Sequence, residues 1–259
     1  IKNGTMAQEP RVPLDKGARL RTSSMVLGPL LARYGKAHVP NPGGCRLGAR
    51  PIDRHIEGLR DMGAIITYNS EDGFFHAETS RLHGATIRFP KNTHTGTETI
   101  LLAAVLAQGK TIIENAAQEV EVDDLIACLS LMGANVKRLK PRVIEVIGVD
   151  KLHGVTYTIM PDRNEEVTFA IAARITGGDI VVHASQLGYL GAFLEPFEKA
   201  GGKYERLDSH RTRYFGSSPI QPTDIVTKPY PGFMTDWQAP WAVFMTQAHG
   251  NSTIHETVF

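Results

Sequence analysis

Apolar positions along the chain recur in a fixed order, in which a helix-like apolar stretch ends in a glycine and leads into a short run rich in β-branched residues. This order repeats about every 70 residues, and the glycines are Gly35, Gly109, Gly178 and Gly250. A helix commonly closes on a residue in the left-handed conformation, which glycine adopts without a steric penalty, and β-branched residues favour strands. The pattern therefore predicts one helix–glycine–strand step in each of four repeated units.

A second landmark follows the first three glycines in the same phase. It is another helix that ends in a glycine before a strand, and these glycines are Gly63, Gly133 and Gly201. Helix–glycine–strand connections are common by chance, but two of them in one phase favour a true repeat. Each unit is then predicted to contain a strand, a helix, a strand, a helix and further strands.

The first helix of each unit has few polar positions, as in Met25–Ala32, Ile100–Ala107 and Phe169–Ile175. A surface helix would carry a broad polar stripe, so we expect these helices to be buried, with the sheets outside them. The chain is thus predicted to have an α/β fold built from pseudo-equivalent units.

The same repeat predicts where domains begin and end. Roughly two units fill residues 20–158, and a proline-containing seam at Thr158–Arg163 opens the next unit. We therefore expect one domain over residues 1–158 and the start of a second over residues 159–259. The chain begins at Ile1 and stops at Phe259 inside a strand-like run, so both domains are expected to be incomplete.

The amino-acid composition argues against some classes of binding partner. Hydrophobic residues make up 42% and charged residues 21% of the chain, and the formal net charge is +1, so nothing points to nucleic acid or an anionic membrane as the main partner. No apolar run approaches the roughly 20 residues that span a bilayer. Two cysteines are too few for a disulfide framework, which favours a reducing cytoplasm.

The segment from Pro40 to His55 carries the candidate chemistry. Its glycines and prolines exclude a regular helix or strand, so it is predicted to be a loop, with Asp53–Leu59 starting the next helix. Cys45 lies in this loop near two arginines, which favour the reactive thiolate; the alternative is a small turn residue or a buried cysteine. Cys128, on an apolar helical face, is predicted to be a core residue. No metal-ligand spacing is visible, and His55 is predicted to be structural.

The sequence around this loop, PGGCRLGARPIDRHIEGLRDMGA, resembles the active-site loop and following helix of bacterial UDP-N-acetylglucosamine enolpyruvyl transferases. The likeness runs from about residue 18 to the end, and it continues in RTSSMVLGPLLARYG, LLAAVLAQGKTIIENAAQEVEVDDL, PDRNEEVTF, PYPGFMTDWQAP and HETVF. The resemblance implies an inside-out α/β barrel of repeated β-α-β-α-β-β units in two domains, both incomplete here. That architecture agrees with the repeat.

The resemblance also implies a reaction. The family transfers the enolpyruvyl group of phosphoenolpyruvate to the 3-hydroxyl of UDP-N-acetylglucosamine and releases phosphate, which is the first committed step of peptidoglycan biosynthesis in the bacterial cytoplasm. The expected partners are these two substrates, without nucleic acid or membrane, and no metal or organic cofactor is expected. The antibiotic fosfomycin alkylates the loop cysteine of this family. The oligomeric state is left open.

Roles in that reaction are implied position by position. Cys45 matches the general acid, and Asp236 matches the aspartate that is the usual candidate for the base. Arg50 is also expected near phosphate, where a planar guanidinium suits an oxyanion. The positions that match substrate contacts are Arg21, Arg50, Pro51, Ile52, Asp53, Arg54, Lys91, Thr93, His94, Thr95 and Val258.

The sequence departs from the family in some places. The family's lysine–asparagine pair and its late arginine have no match in this chain, because Lys2 and Asn3 lie too close to Arg21 for that role to be transferred. The loop after Pro90 is longer or shifted, and Glu166 and Val167 stand where smaller residues are usual, which could alter the domain junction.

Two other functions stay open. One is the related shikimate-pathway enolpyruvyl transferase, although that enzyme does not use a loop cysteine. The other is a non-catalytic sugar-nucleotide-binding fragment, which the unmatched cationic positions favour.

Overall fold

The computed structural model describes residues 10–44 and 50–259, and Cys45 with the rest of 45–49 lies outside this description. The chain divides into two compact units, Ile1–Tyr157 (unit 1) and Thr158–Phe259 (unit 2). That these units correspond to one domain and the start of a second domain of the family stays a prediction.

Unit 1 contains two similar successions of helices and strands. Its helices are α1 (Leu14–Gly17), α2 (Leu27–Tyr34), α3 (Asp53–Asp61), α4 (His94–Ala104) and α5 (Val120–Leu131), with a 3-10 helix at Arg21–Val26. Its strands are β1 (Lys36–Pro40), β2 (Ile65–Asn69), β3 (Phe74–Glu78), β4 (Thr86–Arg88), β5 (Lys110–Glu114), β6 (Asn135–Lys140) and β7 (Val143–Ile147).

Unit 2 continues the same succession. Its helices are α6 (Arg163–Thr176), α7 (Gly191–Lys199) and α8 (Gln238–Met245), with 3-10 helices at Leu187–Tyr189 and Thr235–Trp237. Its strands are β8 (Ile180–His183), β9 (Lys203–Arg206), β10 (Arg211–Phe215), β11 (Ile225–Val226) and β12 (Ile254–His255).

The sheets repeat one strand order. The four-stranded sheet has the order β4-β5-β7-β6, and β4 pairs with β5 in parallel. The three-stranded sheets β1-β3-β2 and β8-β10-β9 reproduce its last three positions. A parallel bridge between Arg11 and His38 lies where β4 lies in the larger sheet, and the parallel pair β11–β12 corresponds to β4–β5. The sequence repeat is therefore also a repeat of topology.

The second set of predicted glycine landmarks is confirmed, and the first set only in part. Gly35 closes α2, but α4 ends at Ala104 and α8 at Met245, several residues before Gly109 and Gly250. Gly63, Gly133 and Gly201 each follow a helix, precede a strand and have positive φ angles of 93°, 95° and 87°. The prediction at Gly178 is wrong by one residue, because Gly177 (φ 65°) closes α6 and the Gly178 amide then donates to the Ala173 carbonyl at 2.7 Å. This is the two-residue Schellman closure, which uses both glycines.

A further repeat lies in the backbone hydrogen bonds after each second helix. The His83 amide donates to the Met62 carbonyl at 3.0 Å, and the His153 amide donates to the Met132 carbonyl at 2.9 Å. In unit 2 the Gln221 amide donates to Ala200 in the same relative position, at 3.1 Å. Both histidines lie in a Leu-His-Gly triplet that the sequence analysis did not use.

Helix burial follows the prediction in unit 1 but not throughout unit 2. Leu27 and Leu31 of α2 and most of Ile100–Ala107 are buried. Phe169 is 56% exposed, because α6 buries the face that carries Val167, Ala170, Ile171 and Ala173. The interpretation of Cys128 as a core residue is also wrong, since this side chain is half-buried on α5.

Glu166 is buried inside unit 2 and is fully engaged there. Its carboxylate accepts hydrogen bonds from the Ser185 hydroxyl at 2.5 Å, the Gln186 amide at 2.5 Å and the Tyr214 hydroxyl at 2.7 Å. A buried carboxylate is tolerated when such donors replace water. The larger side chain at this position therefore ties α6 to the segment after β8 and to β10.

Candidate functional site

Arg21 and Arg50 lie side by side in unit 1. Arg21 begins the 3-10 helix after α1, and its Nη2 donates to the Pro51 carbonyl at 3.1 Å. Burial, and then the positive charge of Arg50, lower the pKa of Arg21. The Gly44 backbone approaches both, because a Cβ at Gly44 would lie 3.1 Å from the Arg21 Cβ and 3.7 Å from Arg50 Nη1.

Arg54 joins the start of α3 to the loop before α4. Its Nη1 donates to the Asn92 carbonyl at 3.1 Å, and Lys91 lies next to that contact. Asn92 is itself held because its side-chain amide donates to the Asn115 carbonyl at 3.2 Å. The structure therefore brings Arg54 next to residues 91–92.

His55 makes a second contact between α3 and α4. Its side chain is 3% exposed, and its Nε2 lies 2.9 Å from the Thr95 hydroxyl at the start of α4. Burial, followed by the positive charges of Arg21 and Arg54, lowers the pKa of His55 to about 4. A neutral imidazole at physiological pH fits the structural role that the sequence predicts.

We call Arg21, Arg50 and Arg54 the arginine cluster. The positive charges of Arg21 and Arg50 oppose one another, and an anion placed beside them would relieve that repulsion. Guanidinium groups bind phosphate and carboxylate through paired N–H donors, and the N-terminal ends of α3 and α4 add partial positive charge. The arrangement is thus suited to holding an anionic group.

The other residues of unit 1 that are predicted to contact substrate lie at the starts of α3 and α4 or just before them. The Thr93 hydroxyl caps α4 by accepting from the Gly96 amide at 3.2 Å, and His94 Nε2 lies 3.4 Å from Glu98. Both side chains are therefore engaged within α4, while Lys91 is exposed. Ile52 is buried and Pro51 and Asp53 are exposed at the start of α3.

Asp236 and Val258 lie in unit 2. Asp236 is exposed in the short helix Thr235–Trp237, which Trp237 anchors by packing edge-on against Phe233 at 5.4 Å and donating to Asn164 at 2.8 Å. Val258 follows β12, and its amide donates to Glu256 at 2.5 Å. An anchored helix presents the Asp236 carboxylate to solvent in a defined place.

The described residues contain no cluster of three or more histidine, cysteine, aspartate or glutamate side chains that could hold a metal ion. None of the described helices is long and apolar enough to cross a membrane.

Comparison with known proteins gives the family. The family model described as EPSP synthase (3-phosphoshikimate 1-carboxyvinyltransferase) matches residues 3–259. The chain belongs to the EPSP synthase family. It is a homologue of UDP-N-acetylglucosamine 1-carboxyvinyltransferases, being 48% identical to that of Acidobacterium capsulatum over 93% of this chain and 55% of the relative. Identity to that of Granulibacter bethesdensis is 42%, over 99% of this chain and 60% of the relative.

Solved structures give the fold of this EPSP synthase family chain. The enolpyruvyl transferase NikO from Streptomyces tendae matches with a TM-score of 0.80 at 21% identity, over 95% of this chain and 59% of that one. EPSP synthase from Acinetobacter baumannii matches with a TM-score of 0.60 at 21% identity, over 90% of this chain and 54% of that one. The chain therefore has the mixed α/β enolpyruvyl transferase fold and covers about half of it. We use "full-length protein" for a polypeptide of the relatives' length that contains this chain.

Sequence reasoning missed Glu256 as a residue of interest in this family member. The residue stands inside the HETVF segment that carries the family likeness, but only its neighbour Val258 was assigned a role. No local pattern distinguishes this glutamate from a solvated one, because partners such as Thr235, 21 positions away, are distant in the sequence.

Because the pKa of His55 is lowered in the folded protein, the free energy of unfolding should depend on pH in a way that can be measured. The unfolded histidine binds a proton near pH 6.5 and the folded one only near pH 4, so stability is complete above pH 6.5 and falls as the pH drops towards 4. We expect this side chain to account for roughly 3 kcal/mol of lost unfolding free energy across that window. A His55→Gln variant of the full-length protein should lack this component.

The measurement is urea unfolding of both proteins at several pH values between 7.5 and 4. Subtracting the variant's curve from that of the wild type removes the contributions of all other groups. Parallel curves for the two proteins would show that His55 titrates normally and would contradict the prediction.

Proposed function

We propose that this chain is part of an enzyme that transfers the enolpyruvyl group of phosphoenolpyruvate to the 3-hydroxyl of UDP-N-acetylglucosamine and releases phosphate. The observation that carries the proposal is the arginine cluster beside residues 91–92, in a chain 48% identical to a UDP-N-acetylglucosamine 1-carboxyvinyltransferase. Both substrates are anions with several phosphate or carboxylate oxygens, which is the class of ligand that clustered guanidinium groups bind.

The proposed roles fall on residues of both units, as their positions in the sequence imply. In unit 1, Arg21, residues 50–54 and residues 91–95 contact the sugar nucleotide, and Arg50 also faces phosphate. In unit 2, Asp236 takes the proton from the attacking hydroxyl, and the Val258 backbone contacts the sugar nucleotide. Cys45, outside the described residues, delivers a proton to the methylene carbon of phosphoenolpyruvate.

These roles balance the reaction. The sugar oxygen forms a bond to the enol carbon as Asp236 removes its proton, and the methylene carbon gains a proton from Cys45. Phosphate then leaves while the Cys45 thiolate takes a proton back from the new methyl group, which restores the double bond, and Asp236 later releases the proton of the sugar hydroxyl. Fixed cations such as those of the arginine cluster stabilise the negative charge that collects on phosphate oxygens.

The finer architecture belongs to the same proposal. We infer an inside-out α/β barrel with residues 1–158 in one domain and residues 159–259 in a second, each completed by segments that this chain does not contain. The recurring strand order β4-β5-β7-β6 supports it. A bacterial cytoplasmic location follows from the substrates, because phosphoenolpyruvate and UDP-N-acetylglucosamine are cytoplasmic metabolites.

Calorimetry on the full-length protein tests the substrate. We expect UDP-N-acetylglucosamine to bind, and phosphate to be released when phosphoenolpyruvate is added. An Arg54→Gln variant should bind the sugar nucleotide more weakly, whereas Arg88→Gln, which removes an exposed arginine of β4, should bind it normally.

The alternative acceptor is shikimate 3-phosphate, which the description of the family model names. Equal or tighter binding of shikimate 3-phosphate would replace the proposed acceptor. Binding of UDP-N-acetylglucosamine without any phosphate release would leave a non-catalytic sugar-nucleotide binder.

A further inference from the structure

The Glu256 carboxylate collects hydrogen bonds from two separate segments of unit 2. Its Oε1 accepts from the Val258 amide at 2.5 Å and from the Phe259 amide at 3.1 Å. Its Oε2 accepts from the Thr235 hydroxyl at 3.2 Å and from the Gln238 side-chain amide. One side chain therefore fastens the turn after β12 to the helix Thr235–Trp237 and the start of α8.

The two fastened segments are those that carry the proposed site residues of unit 2. Thr235 precedes Asp236 directly, and Gln238 follows it by two positions. Val258, whose amide Glu256 holds, is the residue proposed to make a backbone contact with the sugar nucleotide. Glu256 thus lies between the proposed base and the proposed acceptor contact without being assigned to either.

Glu256 is stabilised as a negatively charged carboxylate, the form that accepts all of these hydrogen bonds. Burial works against ionisation, but the hydrogen bonds from the Val258 and Phe259 amides and from threonine hydroxyls lower the pKa of Glu256. Hydrogen bonds to an ionised acceptor are shorter and stronger than those between neutral groups. Within the described residues Glu256 forms no ion pair with a lysine or arginine. Its negative charge therefore strengthens its hydrogen bonds to neutral donors.

The strand pair next to Glu256 has hydrogen bonds of its own that do not involve this carboxylate. The Thr227 amide donates to the His255 carbonyl at 2.9 Å, and the Ile225 amide donates to the Thr253 carbonyl at 3.0 Å. At the opposite end of the pair, the Asp224 carboxylate accepts from the Thr253 amide at 2.6 Å. Four hydrogen bonds of Glu256 lead instead to the two segments of the proposed site.

We propose that Glu256 is a positioning residue of the transfer reaction, which holds Asp236 and the Val258 backbone at a fixed separation. The inference rests on the proposed function. Misplacing a reacting group by about 1 Å can cost a hundredfold in rate, so a link of this kind affects turnover without touching substrate.

Three variants of the full-length protein test it. Glu256→Gln keeps the size of the side chain but replaces one acceptor oxygen by an amide that cannot accept. Thr235→Val removes only the hydroxyl that reaches Glu256 from the Asp236 side. Asp224→Asn is the matched control, since it makes the same chemical change in a carboxylate that also joins the two strand segments but at the other end.

Glu256→Gln should lower kcat/KM by roughly 10- to 100-fold, through both a lower kcat and a higher KM for UDP-N-acetylglucosamine. Thr235→Val should lower kcat with little change in KM, because the Val258 side of the link remains. Asp224→Asn should stay within about twofold of the wild type. Hydrogen exchange of peptides 233–238 and 256–259 should rise in Glu256→Gln and not in Asp224→Asn.

The outcomes separate the two proposals. If the wild type does not turn over UDP-N-acetylglucosamine with phosphoenolpyruvate, the proposed function fails and the positioning role fails with it. If the wild type is active but Glu256→Gln keeps its kcat and KM, only the positioning role is overturned. Equal losses in Glu256→Gln and Asp224→Asn, with equal drops in melting temperature, would also overturn it, because they indicate a general effect on folding.

Discussion

Replacing Asp236 by asparagine in the full-length protein should lower kcat by roughly 10²- to 10⁴-fold, the usual contribution of a general base. The amide keeps the size of the side chain but cannot take a proton from the sugar hydroxyl. Because Trp237 is buried and packs against Phe233, the helix Thr235–Trp237 should keep its place. Binding of UDP-N-acetylglucosamine should therefore change far less than turnover.

Measuring kcat beside the Kd for UDP-N-acetylglucosamine gives the sharper test of this variant, because loss of a general base lowers turnover and leaves substrate binding largely in place. Asp208→Asn is a suitable control, because Asp208 is another exposed aspartate of unit 2 that pairs with Arg211 at 2.7 Å. Retention of wild-type kcat by Asp236→Asn would remove Asp236 from the catalytic role.

Removing the Cys45 thiol should abolish alkylation by fosfomycin and, in Cys45→Ala, lower kcat by roughly 10²- to 10⁴-fold. Alkylation needs a thiolate that attacks the epoxide carbon while the carbon–oxygen bond breaks and the oxygen gains a proton. The arginines at positions 46 and 50 favour that thiolate and attract the phosphonate. Cys45→Asp keeps an acid at this position, so it should resist the antibiotic and retain more turnover than Cys45→Ala.

Cys128→Ser is the matched control for this experiment. Cys128 is half-buried on α5, so its thiol is not fully hidden. Its exclusion as the reactive group rests on its neighbours in LIACLSLMGA, which include no arginine or lysine to favour a thiolate. Intact mass before and after treatment, followed by peptide mapping, locates the adduct. An adduct on Cys128, or undiminished labelling of Cys45→Asp, would overturn the assignment.

The order of helices and strands could be predicted because its signals are local. Gly63 and Gly133 are needed where a helix ends and the chain turns into a strand, and their positive φ angles confirm that reading. At the end of α6 two consecutive glycines satisfy the same pattern, so the sequence could not show which one takes the left-handed conformation. The error at Gly178 has this origin.

Burial was predicted less well, because the number of apolar residues in a helix does not show which face is covered. Phe169 belongs to an apolar helix and is nevertheless more than half exposed, at 56%. Glu166 is charged and buried, because Ser185, Gln186 and Tyr214 supply donors from positions far along the chain. Packing and donor placement of this kind depend on which elements meet.

By itself, the sequence determined the repeated unit, the glycine-closed helices and the chemical types of residue in the loop and the flanking arginines, since each depends on near neighbours in the chain. Tertiary structure decided that Arg21 meets Pro51, 30 positions away, and that Arg54 meets Asn92, 38 positions away. It also decided the neutral state of His55 and the link made by Glu256. Both depend on burial and on donors or charges from distant segments, whose positions are set only when the helices and sheets pack together.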